Sequence, residues 1–250
     1  MKRLPEFLMM VASFVRWLVV AIVLCLLFIF SCQSLRAQSV PLVRAQHDSF
    51  VSYYDIERHN PALVVYPLEF AHFAGKNKIS GRHFKMDTQL PRPRVKDSDY
   101  SKTGYVRGHL CSAGDRDSNK KWLKETYLTS NMVPMTMVCN SGPFKMIEDS
   151  CRALAMAGHR LIIGRLPLYR DIQSFLQNVS HTRVAIQVPD AFLCLARCQT
   201  CDLRYSGFVL QSGTNPPECV IQFMNDPRVS VLLQNIFGSW SREEYETITR

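Results

Sequence analysis

Residues Pro143 to Ala157 fix more of the fold than any other stretch of this 250-residue chain. Ser141 offers a hydroxyl cap, Pro143 sits in the first turn where a missing N–H costs nothing, and Gly158 supplies the stop. A helix is predicted there. Around it lie short runs rich in β-branched and aromatic residues, read as strands: Phe50–Tyr54, Ala62–Leu68, Arg160–Gly164, Arg183–Val188, Ala191–Ala196 and Gly207–Leu210. The first two are separated by a polar segment ending in Asn60-Pro61, so they predict a hairpin. Phe70 to Tyr100 reads as irregular, Ser118 to Tyr127 as helical and Leu128 to Val133 as extended. Pro227 to Phe237 reads as a short helix or a pair of strands, and Ser241-x-x-Glu244 as the capping box of a last helix. The elements intermix without a βαβ rhythm or an internal repeat. The expected class is therefore α+β, with an antiparallel sheet core flanked by helices.

The two ends and the cysteines set the context. Lys2, Arg3 and Arg16 precede the uncharged run Trp17–Cys32, and Ala37 precedes Gln38. A basic start, an apolar stretch and a small residue before a polar one predict a secretory signal over 1–37, cleaved after Ala37. An uncleaved anchor and a lipid attachment at Cys32 are the alternatives. The location expected is periplasmic or extracellular, or membrane-anchored through the N-terminus. Residues 38–48 read as a linker and 49–250 as one domain. Formal charge is +9, of which about six positive charges fall beyond residue 37, a basic bias that suits a polyanionic partner. Seven of the nine cysteines lie in the body, and export predicts disulfides among them. Cys194, Cys198 and Cys201 resemble half of a zinc site, but no histidine is near in sequence, and Cys219 alone could complete a four-sulfur set.

The chemistry is concentrated between Gly104 and Arg152. His109 can accept a proton near neutral pH. Arg107 offers planar donors suited to phosphate oxygens, and Gly108 allows a tight turn between them. The bland reading of this triplet is a surface turn. Asn140 carries a hard oxygen that can serve Mg²⁺, which takes few protein ligands; otherwise it caps a helix. Glu148 lies two turns further on, placed to hold water beside an ion, with Arg152 following at i+4. Asn131 can orient its loop or touch phosphate; otherwise it makes a turn. Arg82, among the basic residues of 76–96, is a candidate for the nucleic-acid backbone.

These pieces together resemble the DNA/RNA non-specific endonucleases, the ββα-metal nucleases. The matching residues are Val106-Arg107-Gly108-His109-Leu110, then Ser130-Asn131-Met132-Val133-Pro134, then Asn140, Phe144 and Ile147-Glu148. A thinner likeness runs over 49–240, including Val64-Val65-Tyr66 and Val188-Pro189-Asp190-Ala191-Phe192. The resemblance implies a Mg²⁺-dependent hydrolase of DNA and RNA phosphodiesters, with Mn²⁺ able to substitute, little sequence preference and 5′-phosphate products. It implies His109 as general base, Asn140 as the metal ligand and Glu148 as the holder of a water on that metal. Arg107 would stabilise charge, with Asn131 and Arg152 in support. The implied partner is the nucleic-acid backbone, with no small-molecule cofactor; a homodimer stays open.

One departure bears on mechanism. Val106 stands where the family pattern has Asp. A carboxylate there could hold Arg107, so its loss predicts an active but slower enzyme that Val106→Asp would accelerate. The rival reading is a non-catalytic nucleic-acid-binding protein on the same scaffold.

Overall fold

The structure is a computed structural model that describes residues 42–81, 84–169, 184–211 and 220–222. Its central feature is a seven-stranded antiparallel sheet. The strands are β1 (Leu42–Gln46), β2 (Val51–Asp55), β3 (Asn60–Leu68), β6 (Leu161–Leu168), β7 (Ala191–Cys198), β8 (Arg204–Leu210) and β9 (Val220–Gln222), in the order β1-β2-β3-β6-β7-β8-β9. A separate two-stranded ladder joins β4 (Val106–His109) to β5 (Met132–Met135). The helices are α1 (Phe70–Phe73), α2 (Lys120–Glu125), α3 (Met137–Ser141) and α4 (Pro143–Met156).

Helix α4 covers one face of the sheet. Its buried residues Phe144, Ile147, Cys151 and Ala155 recur at spacings of three and four, forming one stripe. The stripe meets Val64, Tyr66 and Leu68 of β3, Ile163 of β6, and Phe192, Cys194 and Ala196 of β7. In β3 these contacts come from every second residue, as a strand with one face on this core requires. Burying a side chain such as Phe144 or Ile147 stabilises by about 1.5–3 kcal/mol, so the helix is held chiefly by this face. Gly158, at φ +93°, ends α4 in a conformation that other residues rarely adopt. A second cluster gathers Phe84, Val95, Tyr100, Met132, Val184, Ile186 and Val188.

Several sequence expectations need correction. The linker assigned to 38–48 contains β1, which pairs residue by residue with β2 from Leu42↔Asp55 to Gln46↔Val51. Val184–Val188 is not a strand. Its apolar side chains fill the second cluster, and the Gln187 N–H donates to the Arg58 carbonyl at 3.1 Å. Ser141 does not cap α4: Gly142 occupies the cap position without a side chain, and the Ser141 hydroxyl donates to Met137 Sδ instead. Thr129–Asn131 forms a 3₁₀ turn before β5 begins, and the helix predicted over 118–127 narrows to α2, capped by Asn119. The signal segment, Arg82, Cys219 and the elements expected after residue 226 lie outside the described residues. Among the described residues, no helix is long and apolar enough to cross a membrane.

Candidate active site

The β4 strand places the first two site residues. Arg107 and His109 are two apart, so they project to one side, while Val106 and Gly108 project to the other. The packing agrees. Val106 lies against the main core, and a Cβ on Gly108 would overlap the Met135 side chain. Gly108 is thus needed for room opposite β5, where it pairs with Val133, and not for the tight turn expected from the sequence. His109 is held by rings: Phe84 is tilted at 4.7 Å and Tyr127 meets it edge-on at 4.8 Å.

Arg107 has a carboxylate after all. Its Nε lies 2.5 Å from Asp97 Oδ1, and its Nη2 donates to the Asp97 carbonyl at 2.6 Å and to Oδ2 at 3.3 Å. The guanidinium also sits over the Tyr100 ring at 5.8 Å. Among the described residues Nη1 makes no hydrogen bond, which leaves that end for an incoming anion. Valine at 106 therefore follows from the packing: that side of β4 is apolar, and the anchoring charge comes from ten residues upstream.

Asn131 is fully buried and its amide is committed to the backbone. Its Oδ1 accepts from the Cys111 N–H at 2.7 Å, and its Nδ2 donates to the carbonyls of Cys111 and Thr126, both at 2.9 Å. This ties the exit of β4 to the entry of β5. Asn131 thus closes the 3₁₀ turn Thr129–Asn131 and spends its amide on the backbone around it.

Helices α3 and α4 supply the oxygen donors. The Asn140 backbone N–H bonds to the Thr136 carbonyl inside α3. Thr136 caps α3, accepting from the Cys139 N–H at 3.2 Å, and Gly142, not Asn140, holds the cap position of α4. Among the described residues the Asn140 carboxamide has no hydrogen-bond partner, so its oxygen is available to an ion. Glu148 accepts from the Ser112 hydroxyl at 3.2 Å. Burial pushes its carboxyl up to about 7, and the negative charge of Asp115 adds to this; Arg152, Arg165 and the Ser112 hydrogen bond pull it down. A carboxyl raised in this way by burial and a like charge is relieved by a cation. A carboxamide and a carboxylate are hard oxygen donors, so the residues present fit a Mg²⁺-type ion.

Arg152, a candidate for contacting substrate, is surrounded by the carboxylates of Asp115, Asp149 and Glu148. Its Nη1 donates to Asp115 Oδ1 at 2.6 Å and its Nη2 to Asp149 Oδ1 at 2.7 Å, with Glu148 Oε2 at 3.6 Å. It positions Glu148 and Asp115. Asp115, 1 % exposed, also accepts from the Tyr66 hydroxyl at 2.9 Å. Sequence reasoning missed Asp97, Ser112 and Asp115. Each sits in a polar loop with no pattern to separate it from ordinary surface residues.

Comparison with known proteins gives the same answer by another route. The family model for DNA/RNA non-specific endonucleases matches residues 35–228. The mitochondrial nuclease EXOG of Danio rerio is 31% identical over 102 residues, covering 40% of this chain and 30% of that protein. A nuclease of Nostoc sp. is 37% identical over 83 residues, 32% of this chain and 30% of the relative. The chain thus spans about a third of the length of these relatives. The crystal structure of the EndoG/EndoGI complex shares the fold, with a TM-score of 0.55 at 21% identity, over 80% of this chain and 86% of that one. With an Arg-Gly-His strand, a buried Asn131 and a Glu148 helix set on that fold, the chain belongs to the DNA/RNA non-specific endonuclease family.

Proposed function

We propose that this chain is an exported, divalent-metal-dependent endonuclease that hydrolyses DNA and RNA phosphodiesters with little sequence preference and leaves 5′-phosphates. The observation that carries the reading is the shared side of β4. It presents His109, gripped by two rings, beside Arg107, gripped by Asp97.

In the reaction His109 takes the proton of the attacking water. Arg107 points its Nη1 end at the phosphoryl oxygens and stabilises the charge that develops there. Asn140 and Glu148 would hold the metal and its water, and Ser112 and Arg152 keep Glu148 in place. A bound Mg²⁺ would supply charge stabilisation at the leaving oxygen. Asn131 holds the two strands of the site in register. Each of these roles is met at phosphate or water and needs no base edge, which suits cleavage without sequence preference. Export rests on the basic and apolar residues before Gln38.

The test is cleavage of plasmid DNA and of RNA by the purified chain, with Mg²⁺ or with a chelator, followed by end-group analysis. Metal-dependent cleavage of both with 5′-phosphate ends is expected. A chain that binds nucleic acid but cleaves neither would favour the non-catalytic reading. N-terminal sequencing of protein from its native host tests export; an unprocessed, unlipidated N-terminus that fractionates with soluble cytosol would refute it.

A further inference from the structure

The six cysteines among the described residues are all free, contrary to the disulfides expected from the sequence. Five of them lie buried in the main core, and of these Cys111, Cys139, Cys151 and Cys194 fill it as small apolar side chains. Cys198 and Cys201 differ, because the fold brings a histidine to them. After Gly158 the chain turns, with the His159 N–H donating to the Leu154 carbonyl at 3.2 Å, and enters β6. The β6–β7 register pairs Leu161 with Cys198. Beyond β7 the Cys198-Gln199-Thr200-Cys201 turn folds back. There the Gln199 N–H donates to the Arg160 carbonyl at 2.8 Å and the Cys198 N–H to the Leu203 carbonyl at 2.9 Å. Backbone hydrogen bonds, and not the side chains themselves, therefore fix the meeting of the three groups.

We infer that His159, Cys198 and Cys201 form a second metal site, built for a soft divalent ion of the zinc type. His159 Nδ1 lies 3.6 Å from Cys198 Sγ and 3.5 Å from Cys201 Sγ, and the three donor atoms all fall within 4.8 Å of one another. Zinc bonds of about 2.3 Å to sulfur and about 2.05 Å to nitrogen, at a tetrahedral angle, require an S···N separation of about 3.6 Å. The two measured separations match it. Two thiolates and an imidazole select zinc over Mg²⁺ or Ca²⁺, which take oxygen ligands. The Thr200 hydroxyl, 3.3 Å from Cys198 Sγ, supplies a hydrogen bond to the ligating sulfur, as outer partners of metal ligands commonly do. Cys201 is exposed, so the fourth position opens to solvent and takes a water. The site staples the β7–β8 turn to the entry of β6, immediately after the helix that carries Glu148 and Arg152. Its binding energy adds to folding stability.

The test uses the full chain purified under reducing conditions with zinc supplied. Metal content is measured by mass spectrometry, affinity by competition with a chromophoric chelator, and ligand type by the cobalt-substituted spectrum. One zinc per chain and a sulfur-to-cobalt charge-transfer band are expected. His159→Ala and Cys201→Ser should each weaken zinc binding about 100-fold or more while the circular dichroism stays that of the parent. The cobalt spectrum of the parent decides the matter even if a variant fails to fold. Three results would overturn the inference. They are a parent chain that retains no zinc, zinc binding that survives both substitutions (as an ion at Asn140 and Glu148 would), or a Cys198–Cys201 disulfide in protein isolated without added oxidant.

Discussion

Asp97 is where the structure changes the expectation drawn from Val106. Replacing Asp97 with Ala removes the 2.5 Å ion pair to Arg107 Nε and the 3.3 Å hydrogen bond from Nη2. It leaves the bond from Nη2 to the residue 97 carbonyl at 2.6 Å and the Tyr100 ring beneath the guanidinium. The two side chains are 26% and 29% exposed, so the pair adds only about 1 kcal/mol to stability, and melting should hardly move. Rate is another matter. A misplacement near 1 Å can cost about 10²-fold, and with the carbonyl, the Ser101 hydroxyl at 3.4 Å and the Tyr100 ring still holding the guanidinium the loss in kcat/KM should fall between about 10-fold and 100-fold. The assay is a double-mutant cycle on one DNA substrate with Asp97→Ala, Arg107→Ala and the pair. If Asp97 works by holding Arg107, its loss should be silent once Arg107 is gone. Additive losses, or an Asp97→Ala enzyme as fast as the parent, would refute the reasoning. By the same argument Val106→Asp should not accelerate the enzyme, because its carboxylate would enter the apolar side of β4 and meet the main core. A faster Val106→Asp variant would restore the sequence-based view.

The remaining predictions concern the donors and the helix beneath them. Asn140→Ala should raise the Mg²⁺ concentration needed for half-maximal cleavage and leave the melting temperature within a degree or so of the parent, since Thr136 caps α3 and Gly142 holds the cap position of α4; lower melting with normal cleavage would contradict this. In the cation-free protein the raised Glu148 pKa stabilises the fold fully below its ordinary value of 4.5, and that contribution is lost as pH rises through about 7. The stability of Glu148→Gln relative to the parent should therefore grow across that window by up to about 3 kcal/mol, read by denaturant unfolding in chelator; a difference independent of pH would sink the argument. Ile147→Ala removes the centre of the α4 stripe and should cost about 2–5 kcal/mol in unfolding free energy, whereas a loss below about 1 kcal/mol would mean that α4 is held by something else.

How much of this was legible in the sequence follows from the range of each signal. Helix α4 was, because its proline start and its Gly158 stop are local. So was the β2–β3 hairpin, whose alternation is contiguous, although Asn60-Pro61, read as its turn, opens β3 and pairs with Asp55 and Tyr54. Arg107 and His109 were readable from their chemistry and from the order of the motifs around them, but the strand that sets them on one side was not, because Gly108 between them reads as a turn. Strand β1 was not, since Leu42–Gln46 is a short, mostly polar edge: it is held by pairing with β2, by Ala45 against Tyr54 and Leu90, and by Gln89, all distant in sequence. Val184–Val188 misled because buried apolar residues look alike in a strand and in a loop that fills a core. Asp97 and His159 were invisible for a shared reason: their partners are set by tertiary approach. Asp97 reaches Arg107 from a 3₁₀ turn, and His159 reaches Cys198 through the register of two strands.

The central claim is that His109 takes the proton from water in a metal-dependent nuclease, and one variant measures it most directly. His109→Ala should bind a short duplex as tightly as the parent, with saturating Mg²⁺ present, and cleave it about 10²–10⁴-fold more slowly. Cleavage by His109→Ala at the parent's rate, under the same Mg²⁺ and at the same protein concentration, would contradict the account.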